Sequence, residues 1–530
     1  MPWALFLPFL SAMFYVTHCC QEEEADLLKS GFGFNLPAAR MPVLDDRSVL
    51  SLRGSRLGPL PGCRGAELWL DSDTASWAVM EEGEAAVAGD LSRGISYAAL
   101  LLRLGRVREK GLRRLLGHLW QTGLLEVDGE LRWPPDIFAR GPIFRSSYLV
   151  EIHLTSRCNL VCRYCFTKSG PLGADLPEDM AQKAVDLALA LPTDDLTIEF
   201  AGGEALLRLS LLQQLIERIE RACAARPCPV RITVQTNGLL LKGEAIEFFS
   251  QHPGVEVGIS LDGPPFVNDS ARVARDGKGC HAAIEAAARA AVSLRGKEAG
   301  ATAVIHSGSV SKPREIAAYF ASLGLGKIRF NPMARLGRGS SEGISLAISP
   351  AQYLSFMRQV LDYLDETHAF EESNLEALVR NLVVKTRDYR CMRSPCGAGY
   401  DYLVVAPTGD VYPCARFLHH PDLFLGNLSD GEGLEGRFMN NRLVCDMANR
   451  IVSRLPDCKD CAWRHFCGGG CTLEAHAASG TLETADPLCE YYRGIYPYLI
   501  RYLYQHPDMV EYFFPGAITC HVVAPAAGIP

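Results

Sequence analysis

Short apolar runs alternate with longer amphipathic stretches through the middle of the chain, from Tyr148 onward. Each run is rich in β-branched residues and is followed by a turn and a stretch with helical spacing, about every 25 to 45 residues. The six runs are YLVEIHL (148–154), LTIEF (196–200), VRITVQ (230–235), VEVGISL (255–261), GATAVIH (300–306) and KIRFNP (327–332). This order predicts βαβ units that build a parallel sheet.

The first intervening stretch, LPEDMAQKAVDLALAL (176–191), shows the helical spacing most clearly, and its Pro177 suits the start of a helix. One stripe of the predicted helix is apolar and consists of Met180, Ala184, Leu187, Ala188 and Leu191. Six strand and helix units predict an α/β fold, a partial (β/α)6 barrel. In that architecture functional groups gather at the C-terminal ends of the strands.

Residues 66–133 show a different pattern, which predicts a separate small module. One helical face is apolar at Leu112, Leu115, Leu116 and Leu119. The helix would end at Gly123, and the following residues alternate around Asp128 and Gly129, a good two-residue hairpin signal. Helices followed by a hairpin favour a winged-helix-like α+β module, and a generic α+β cap is the alternative.

The beginning of the chain is strongly apolar, in the run PWALFLPFLSAMFYVTHCC (2–20). The run lacks a basic n-region, contains Pro8 and His18, and falls short of the roughly 20 clean apolar residues that span a bilayer. Three interpretations stay open: a signal segment or membrane anchor, a buried strand or helix, and a start codon placed too far upstream.

Composition and charge exclude few classes of protein. A chain of 530 residues with 48% apolar and 22% charged residues is too long and too hydrophobic for a disordered or fibrous protein. Its formal net charge of -8 argues against binding nucleic acid over the whole surface. We therefore expect neither nucleic acid nor a membrane as the main partner.

Cysteine usage is more informative, because 19 thiols are too many for ordinary packing and too clustered for a small secreted disulfide scaffold. The run CNLVCRYC places Cys158, Cys162 and Cys165 directly after the first predicted strand. A four-iron cluster needs one ligand per iron, so three cysteines leave one iron open, as in catalytic metal sites. Zinc with His153 nearby is the alternative, although this spacing matches no usual zinc pattern.

The spacing C-x3-C-x2-C, with Tyr164 before the last cysteine, resembles the signature of the radical S-adenosylmethionine (SAM) enzymes. The resemblance implies a 4Fe-4S cluster whose open iron chelates SAM, and a 5'-deoxyadenosyl radical that abstracts hydrogen. It also implies a SAM pocket at the ends of the later strands. Its residues would be Tyr164, Gly202, Gly203, Glu204, Asn237, Ser260, Asp262 and Arg272.

Within that pocket, residues 202–204 match the family's glycine-glycine-glutamate turn, which holds the SAM amino group. Glycines let the backbone approach closely, and a carboxylate suits an ammonium group. Arg272 would suit the SAM carboxylate. This chain has Ala205 where the family usually has proline. No residue stands out as a general acid or base from the sequence.

A second group of cysteines lies toward the C-terminus. The run CKDCAWRHFCGGGC (458–471) has the spacing C-x2-C-x5-C-x3-C, for which random placement gives roughly one chance in a thousand. Together with cysteines upstream and downstream it resembles the SPASM extension of radical SAM enzymes, and a double zinc ribbon is the alternative. The resemblance implies two auxiliary 4Fe-4S clusters, one held by Cys391, Cys396, Cys414 and Cys471 and the other by Cys458, Cys461, Cys467 and Cys489.

The resemblance covers roughly residues 146–495 and implies SAM and three clusters as cofactors, a reductant such as flavodoxin or ferredoxin, and a reducing compartment, the cytoplasm. The SPASM branch mostly modifies peptides and proteins. The N-terminal module resembles the PqqD-type domain, which binds a leader peptide by strand addition. We predict an enzyme that matures a ribosomally made peptide or protein by cross-linking, such as a thioether, by epimerisation or by oxidation.

Other functions stay open. An iron–sulfur redox-sensing regulator that binds DNA is one, although the glycine-glycine-glutamate turn speaks against it. A sulfatase maturase that forms formylglycine is another, although that branch has an aspartate where this chain has Ala415. An electron-transfer scaffold without a reaction of its own is the third. The predicted domains are an extension (1–62), a PqqD-like module (63–145), the radical SAM barrel (146–385), the SPASM domain (386–495) and a tail (496–530).

Overall fold

The computed structural model describes residues 13–18, 41–513 and 517–520, apart from 106–107, 135–136, 139–146, 194, 224–229, 342, 386, 388, 419, 421–422, 431–437 and 439–440. The N-terminal region is a mixture of short strands and helices. Its elements are β1 (Met13–His18), β2 (Val49–Leu52), β3 (Ser55–Pro59), β4 (Glu67–Asp71), β5 (Ser76–Met80), α1 (Glu82–Leu91), β6 (Ile95–Ser96), α2 (Tyr97–Leu104), α3 (Glu109–Thr122), β7 (Leu125–Val127) and β8 (Glu130–Leu131).

A four-stranded sheet in the order β6-β2-β7-β8 packs with the three helices around their own core, which includes Leu50, Leu116 and Trp120. The predicted turn of the β7–β8 hairpin is confirmed, because Asp128 and Gly129 both have positive φ, at 52° and 84°. The amphipathic helix and its glycine cap are confirmed as well, in α3. The predicted winged-helix pattern therefore has its counterpart in helices α1–α3 and this hairpin.

The expected start of this module at residue 63 needs correction. Strand β2 lies before that residue, yet it pairs with β7, and β3 pairs with β4. A boundary at residue 63 would therefore divide the sheet that contains β2 and also the sheet that contains β3. Interstrand hydrogen bonds cross this boundary in both sheets. We place the module boundary before β2. Of the apolar beginning of the chain, only β1 lies within the described residues, and there it is a strand that pairs with β5.

The middle of the chain forms a parallel sheet of the predicted kind. Its elements are β9 (Ser147–His153), α4 (Glu178–Ala190), β10 (Asp195–Ala201), α5 (Leu209–Cys223), β11 (Val230–Thr236), α6 (Glu244–Gln251), β12 (Val255–Ser260), α7 (Pro265–Ala271), α8 (His281–Arg295), β13 (Gly300–Ile305), α9 (Pro313–Leu323), β14 (Lys327–Pro332), α10 (Pro350–Thr367), β15 (Glu371–Glu372) and α11 (Ser373–Val383). All six predicted strands are present, and each is parallel to its neighbour.

Each barrel strand has an apolar face and a polar face, since side chains alternate along a strand. Val150, Ile198 and Phe330 lie in the apolar core with the helices. The opposite face is polar, and neighbouring residues match across the strands: Glu151 is in register with Glu199, and Glu199 with Thr233. Because the helices cover the apolar face, the polar face lines the inside of the partial barrel. We call it the barrel interior.

The C-terminal region extends the same sheet. Its elements are β16 (Tyr402–Val405), β17 (Asp410–Tyr412), β18 (Gly426–Asn427), α12 (Arg442–Ala448), α13 (Arg464–Cys467), α14 (Thr472–Ser479), α15 (Cys489–Gln505), α16 (Asp508–Phe513) and β19 (Ala517–Cys520). The ten-stranded order is β15-β14-β13-β12-β11-β10-β9-β16-β17-β18, so β16 lies beside β9. This neighbourhood brings the cysteine-rich region next to the first barrel strand.

The expected tail boundary at residue 496 also needs correction, because it falls inside helix α15. Tyr496 is fully buried and donates a hydrogen bond to the carbonyl of Phe466, so the helix continues as part of the C-terminal core. The remaining domain boundaries stay a prediction. Within the residues that the structure describes, no helix combines the length and the apolar character needed to cross a membrane.

Candidate iron–sulfur and SAM site

The loop after β9 brings three predicted ligands together. Cys158 and Cys162 are buried, and Cys165 is half-buried. Burial raises the pKa of Cys158 to about 11 and that of Cys162 to about 12, and the charge of Cys165 raises both as well. Thiols with such pKa values keep their protons at neutral pH, so a bound cation is needed to hold them as thiolates. The loop therefore supplies three sulfur donors, which would bind a metal centre as thiolates.

The barrel holds this loop through its main chain. The backbone N–H of Arg338 donates to the carbonyl of Cys165 over 3.0 Å. The side-chain Nε of Arg338 donates to the carbonyl of Cys162 over 2.8 Å. At the loop entrance Arg157 forms two hydrogen bonds with Asp175, of 2.8 and 2.6 Å. The cysteine side chains thus stay available while the backbone is fixed.

The glycine-glycine-glutamate turn packs directly on the cysteine loop. Gly203 N–H donates to the carbonyl of Thr155 over 2.7 Å, and Glu204 N–H donates to that of Arg157 over 2.9 Å. A Cβ on Gly203 would lie 2.1 Å from the Arg157 oxygen, and one on Gly202, whose φ is 134°, would lie 2.4 Å from the Thr155 oxygen. The glycines are therefore required for contact with the cysteine loop, a reason that the sequence did not reveal.

The carboxylate of Glu204 is 1% exposed and lies at the centre of this turn. It accepts hydrogen bonds from Thr236 Oγ1 (2.6 Å), Leu206 N (3.0 Å) and Asn237 N (2.8 Å). Burial raises its pKa despite these bonds. Each carboxylate oxygen can accept more than one hydrogen bond, so Glu204 keeps capacity for an ammonium group.

The next two predicted residues lie at the ends of neighbouring strands. Asn237 Nδ2 donates to Asn159 Oδ1 over 2.7 Å and lies 3.6 Å from Cys158 Sγ. Ser260 Oγ accepts a hydrogen bond of 2.8 Å from Gln235 Nε2. Asn237 is therefore next to a predicted cluster ligand, whereas Ser260 lies further along the barrel rim.

Tyr164, Asp262 and Arg272 form one buried network beside the loop. Asp262 accepts hydrogen bonds from Tyr164 OH, from Arg272 Nη2 (3.0 Å) and from Val304 N (3.0 Å). Arg272 Nη1 lies 4.0 Å from Cys162 Sγ, and the buried Arg272 Nε has no hydrogen-bond partner among the described residues. An unpartnered guanidinium nitrogen suits an anionic group, so the donor set fits the carboxylate of SAM.

The C-terminal cysteines form two separate sets, and the first lies beside β16. Burial, together with the nearby thiols of Cys471, Cys396 and Cys391, raises the pKa of Cys414 well above its usual range. Arg416 lies next to this set and pairs with Glu474. The four thiols thus interact with one another, as the ligands of one cluster would, and Arg416 supplies a nearby positive charge.

The second set surrounds a single pocket. Cys458, Cys461, Cys467 and Cys489 all line it, together with Trp463 and Tyr492. Burial raises the pKa of Cys467, and the charges of the other three thiols raise it further. A pocket walled by four thiols and aromatic rings fits a fully ligated 4Fe-4S cluster. The interleaved assignment of these eight thiols as cluster ligands stays a prediction.

Sequence reasoning missed several residues that support these sites. Asp486 accepts hydrogen bonds from Cys471 N (2.6 Å) and Leu488 N (2.7 Å), which joins the two cysteine sets. In the barrel interior Glu151, His153 and Tyr402 form a hydrogen-bonded group. The only sequence signal for that group was the polar pair inside the otherwise apolar run YLVEIHL, which the strand period places on one face.

Comparison with known proteins agrees with this geometry. Residues 152–316 match the Radical SAM superfamily. The chain is 24% identical to a serine-type anaerobic sulfatase-maturating enzyme of Bacteroides thetaiotaomicron, over 68% of this chain and 91% of that protein. It is 27% identical to the mycofactocin maturase MftC of Mycolicibacterium smegmatis, over 63% of this chain and 81% of that protein.

Among solved structures, that of Streptococcus suis SuiB bound to the precursor peptide SuiA matches with a TM-score of 0.51 and 16% identity. The match covers 85% of this chain and all of that one, so it extends beyond the barrel. Residues 152–316 are therefore a radical SAM domain. Its named relatives are SPASM-type maturases, and the superfamily binds SAM and a 4Fe-4S cluster.

Proposed function

We propose that this protein is a radical SAM maturase that modifies a peptide or protein side chain. The observation that carries the proposal is the arrangement of three thiol sets in one chain, one set with three thiols and two with four. When bound, SAM and the first cluster would supply a 5'-deoxyadenosyl radical that abstracts hydrogen from the substrate. The relatives named above, a sulfatase-maturating enzyme and a mycofactocin maturase, support this chemistry.

In this proposal each group of residues has a distinct task. Cys158, Cys162 and Cys165 hold the SAM-binding cluster, Glu204 binds the amino group of SAM, and Arg272 binds its carboxylate. Tyr164 and Asp262 keep Arg272 in place, and Asn237 and Ser260 complete the pocket rim. The two four-thiol sets hold the auxiliary clusters, which leaves no iron open there.

We further propose that the substrate is a precursor peptide and that the N-terminal module binds its leader. Strand β3 lies at the edge of its sheet and is mostly exposed, so a peptide strand could add to it. The match to SuiB, which was solved with its precursor peptide, covers 85% of this chain and concerns the fold only. A reductant such as flavodoxin or ferredoxin and a cytoplasmic location complete the proposal.

The test is anaerobic reconstitution with iron and sulfide, followed by reduction and addition of SAM. We expect 5'-deoxyadenosine from the wild-type chain and none from Cys162→Ala. Cys445→Ala is the matched control, because this exposed thiol belongs to no proposed set. Co-expression with small peptides encoded beside the gene, read by mass spectrometry, then identifies the substrate. Equal 5'-deoxyadenosine from wild type and Cys162→Ala would refute the proposal.

A second candidate is formylglycine formation on a sulfatase, favoured by similarity to a sulfatase-maturating enzyme over 68% of this chain. The residue after Cys414 speaks against it, because Ala415 is buried and has no side chain that can accept a proton. A synthetic peptide with the serine or cysteine segment of a sulfatase separates the two. A mass loss of two hydrogens on the serine peptide would favour the second candidate.

A further inference from the structure

His153 and Glu151 lie next to each other in the barrel interior. His153 Nε2 is 2.6 Å from Glu151 Oε1, and Glu151 Oε2 accepts a hydrogen bond from the hydroxyl of Tyr402. The side chains of His153 and Glu151 keep only 5% and 10% of their surface exposed. Two neighbouring strands, β9 and β16, therefore hold the imidazole and leave it a narrow opening.

The protonation of the pair follows from its partners. Burial by itself would raise the pKa of Glu151, but the hydrogen bonds from His153 and Tyr402 hold it below its usual value. When Glu151 is ionised, Nε2 of His153 must carry the proton that it donates. In the neutral imidazole Nδ1 then presents a lone pair, and within the described part of the chain it has no hydrogen-bond partner. An imidazole oriented in this way by a carboxylate can act as a general base.

The position of the pair relates it to both kinds of iron site. His153 is the last residue of β9, just before the loop of Cys158, and its Cα lies 3.5 Å from the place of a Cβ on Gly202. On the other side, Tyr402 packs in one cluster with Cys414, a thiol of the first auxiliary set. The pair thus lies between the proposed radical source and the proposed electron acceptor.

Two further ionisable groups face the pair from the barrel interior. Glu199 of β10 is in register with Glu151, and burial together with the Glu151 charge raises its pKa. Arg329 of β14 lowers the pKa of Glu199 in turn. Because Glu199 is the carboxyl that stays protonated, Glu151 is the anion that polarises His153.

We propose that His153 is the general base of the reaction and that Glu151 and Tyr402 are its positioning residues. The inference rests on the proposed function and narrows it to a net two-electron oxidation, such as a cross-link or an oxidised side chain. A substrate carbon would give one hydrogen atom to the radical that SAM supplies when bound. The substrate would then lose one electron, to an oxidised auxiliary cluster, and one O–H, N–H or S–H proton, to His153 Nδ1. A new carbon–heteroatom bond would form as that proton leaves.

The first test uses the full chain without substrate, because diethyl pyrocarbonate acylates unprotonated imidazole. Peptide mass spectrometry measures the rate at His153 against pH. His252 serves as the internal reference, since its Nδ1 lies 2.8 Å from Glu220 in a pair outside the barrel interior. We expect His153 to react, and Glu151→Gln to slow it at least about tenfold, because the amide cannot polarise the ring. No acylation of His153 while His252 reacts, or an equal rate in Glu151→Gln, would overturn the proposal.

The second test separates proton transfer from SAM cleavage, using the peptide that becomes modified on co-expression. For His153→Gln we expect 5'-deoxyadenosine to persist while product per 5'-deoxyadenosine falls about 100-fold or more. His252→Gln should keep the wild-type ratio. An unchanged ratio, or an equal loss of both products in a folded variant, contradicts the role of His153.

These outcomes are distinguishable from failure of the proposed function. If the wild-type chain yields no 5'-deoxyadenosine, the maturase proposal fails, whereas the acylation pattern still decides whether the His153 and Glu151 pair presents a reactive base. If cleavage occurs but His153→Gln couples it normally to product, only the general-base assignment falls.

Discussion

The three-thiol loop and the four-thiol pocket differ in the number of sulfur ligands that they offer. Beside Cys162, Arg272 keeps a buried nitrogen without a partner among the described residues. The pocket of the second auxiliary set is walled by four thiols, by aromatic rings such as Trp463 and by charged groups such as Arg464. Charged neighbours are therefore common to both regions, and the open site is distinguished by the fourth ligand that it lacks.

The largest expected effect follows from removing a ligand of the open site. Cys162→Ala should abolish 5'-deoxyadenosine formation and lower the iron content by about four atoms per chain, because a cubane held by two thiols is not retained. Iron analysis and chromatography of the nucleoside products measure both. If Cys162→Ala keeps its iron, the three-thiol loop does not hold a cluster and does not differ from the closed pocket in the way described.

A ligand of the closed pocket should behave differently. Cys467→Ala should also lose about four irons per chain, but SAM cleavage should persist because the first cluster is intact. Electron paramagnetic resonance of the reduced chain should still show the signal change that SAM causes at the first cluster. Product formation should fall, since the substrate electron then lacks an acceptor. Loss of SAM cleavage equal to that of Cys162→Ala would show that the two regions are one functional unit.

The contrast between local and distant interactions explains how much the sequence could predict. The six strands were predictable because β-branched runs and their spacing are local signals, and the cysteine sets because their spacing is rare by chance. The group of Glu151, His153 and Tyr402 was not predictable. Tyr402 lies far along the chain from Glu151, and only the parallel pairing of β16 with β9 joins them.

The reason for the glycine turn was also out of reach of the sequence. The turn was recognisable at Gly202 and Gly203, but its closest contacts are with the main chain of Thr155 and Arg157. The start of the N-terminal module was misplaced for a similar reason, because the pairing of β2 with β7 spans most of that module. Sequence patterns thus located the chemistry, while the packing that holds it in place required the fold.

Gly203→Ala tests how the open loop is supported. A Cβ would lie 2.1 Å from the carbonyl oxygen of Arg157, so the turn must move away from the cysteine loop. We expect a loss of about 3 kcal/mol or more in the free energy of unfolding, together with weaker SAM binding. Urea denaturation and equilibrium dialysis with SAM provide the measurements.

Gly117→Ala is the matched control for this substitution. Gly117 lies within helix α3, and a Cβ there would meet no atom within 4 Å. Alanine in a helix is favoured over glycine by roughly 0.5 to 1 kcal/mol, so this variant should be slightly more stable than the wild type. A destabilisation of the same size in both variants would mean that the close contact of Gly203 is not what supports the loop.

The last effect concerns the pH dependence of stability, which separates unfolding of the barrel from loss of a cluster. Glu372 is fully buried, accepts hydrogen bonds from Phe330 N (2.9 Å) and Leu375 N (2.6 Å), and burial raises its pKa to about 7. The folded chain therefore holds a proton that the unfolded chain releases above its ordinary pKa of 4.5. The stability that this group contributes is fully present below pH 4.5 and is lost as pH rises toward 7, by up to about 3 kcal/mol.

Glu372→Gln cannot ionise, so urea denaturation of the metal-free chain at pH 5 and pH 7.5 should show a flatter pH dependence for this variant. Glu315→Gln, on the exposed end of α9, is the control and should keep the wild-type dependence of the free energy of unfolding on pH. If Glu372→Gln keeps that dependence too, acid-dependent changes in iron content cannot be assigned to the cysteine regions alone.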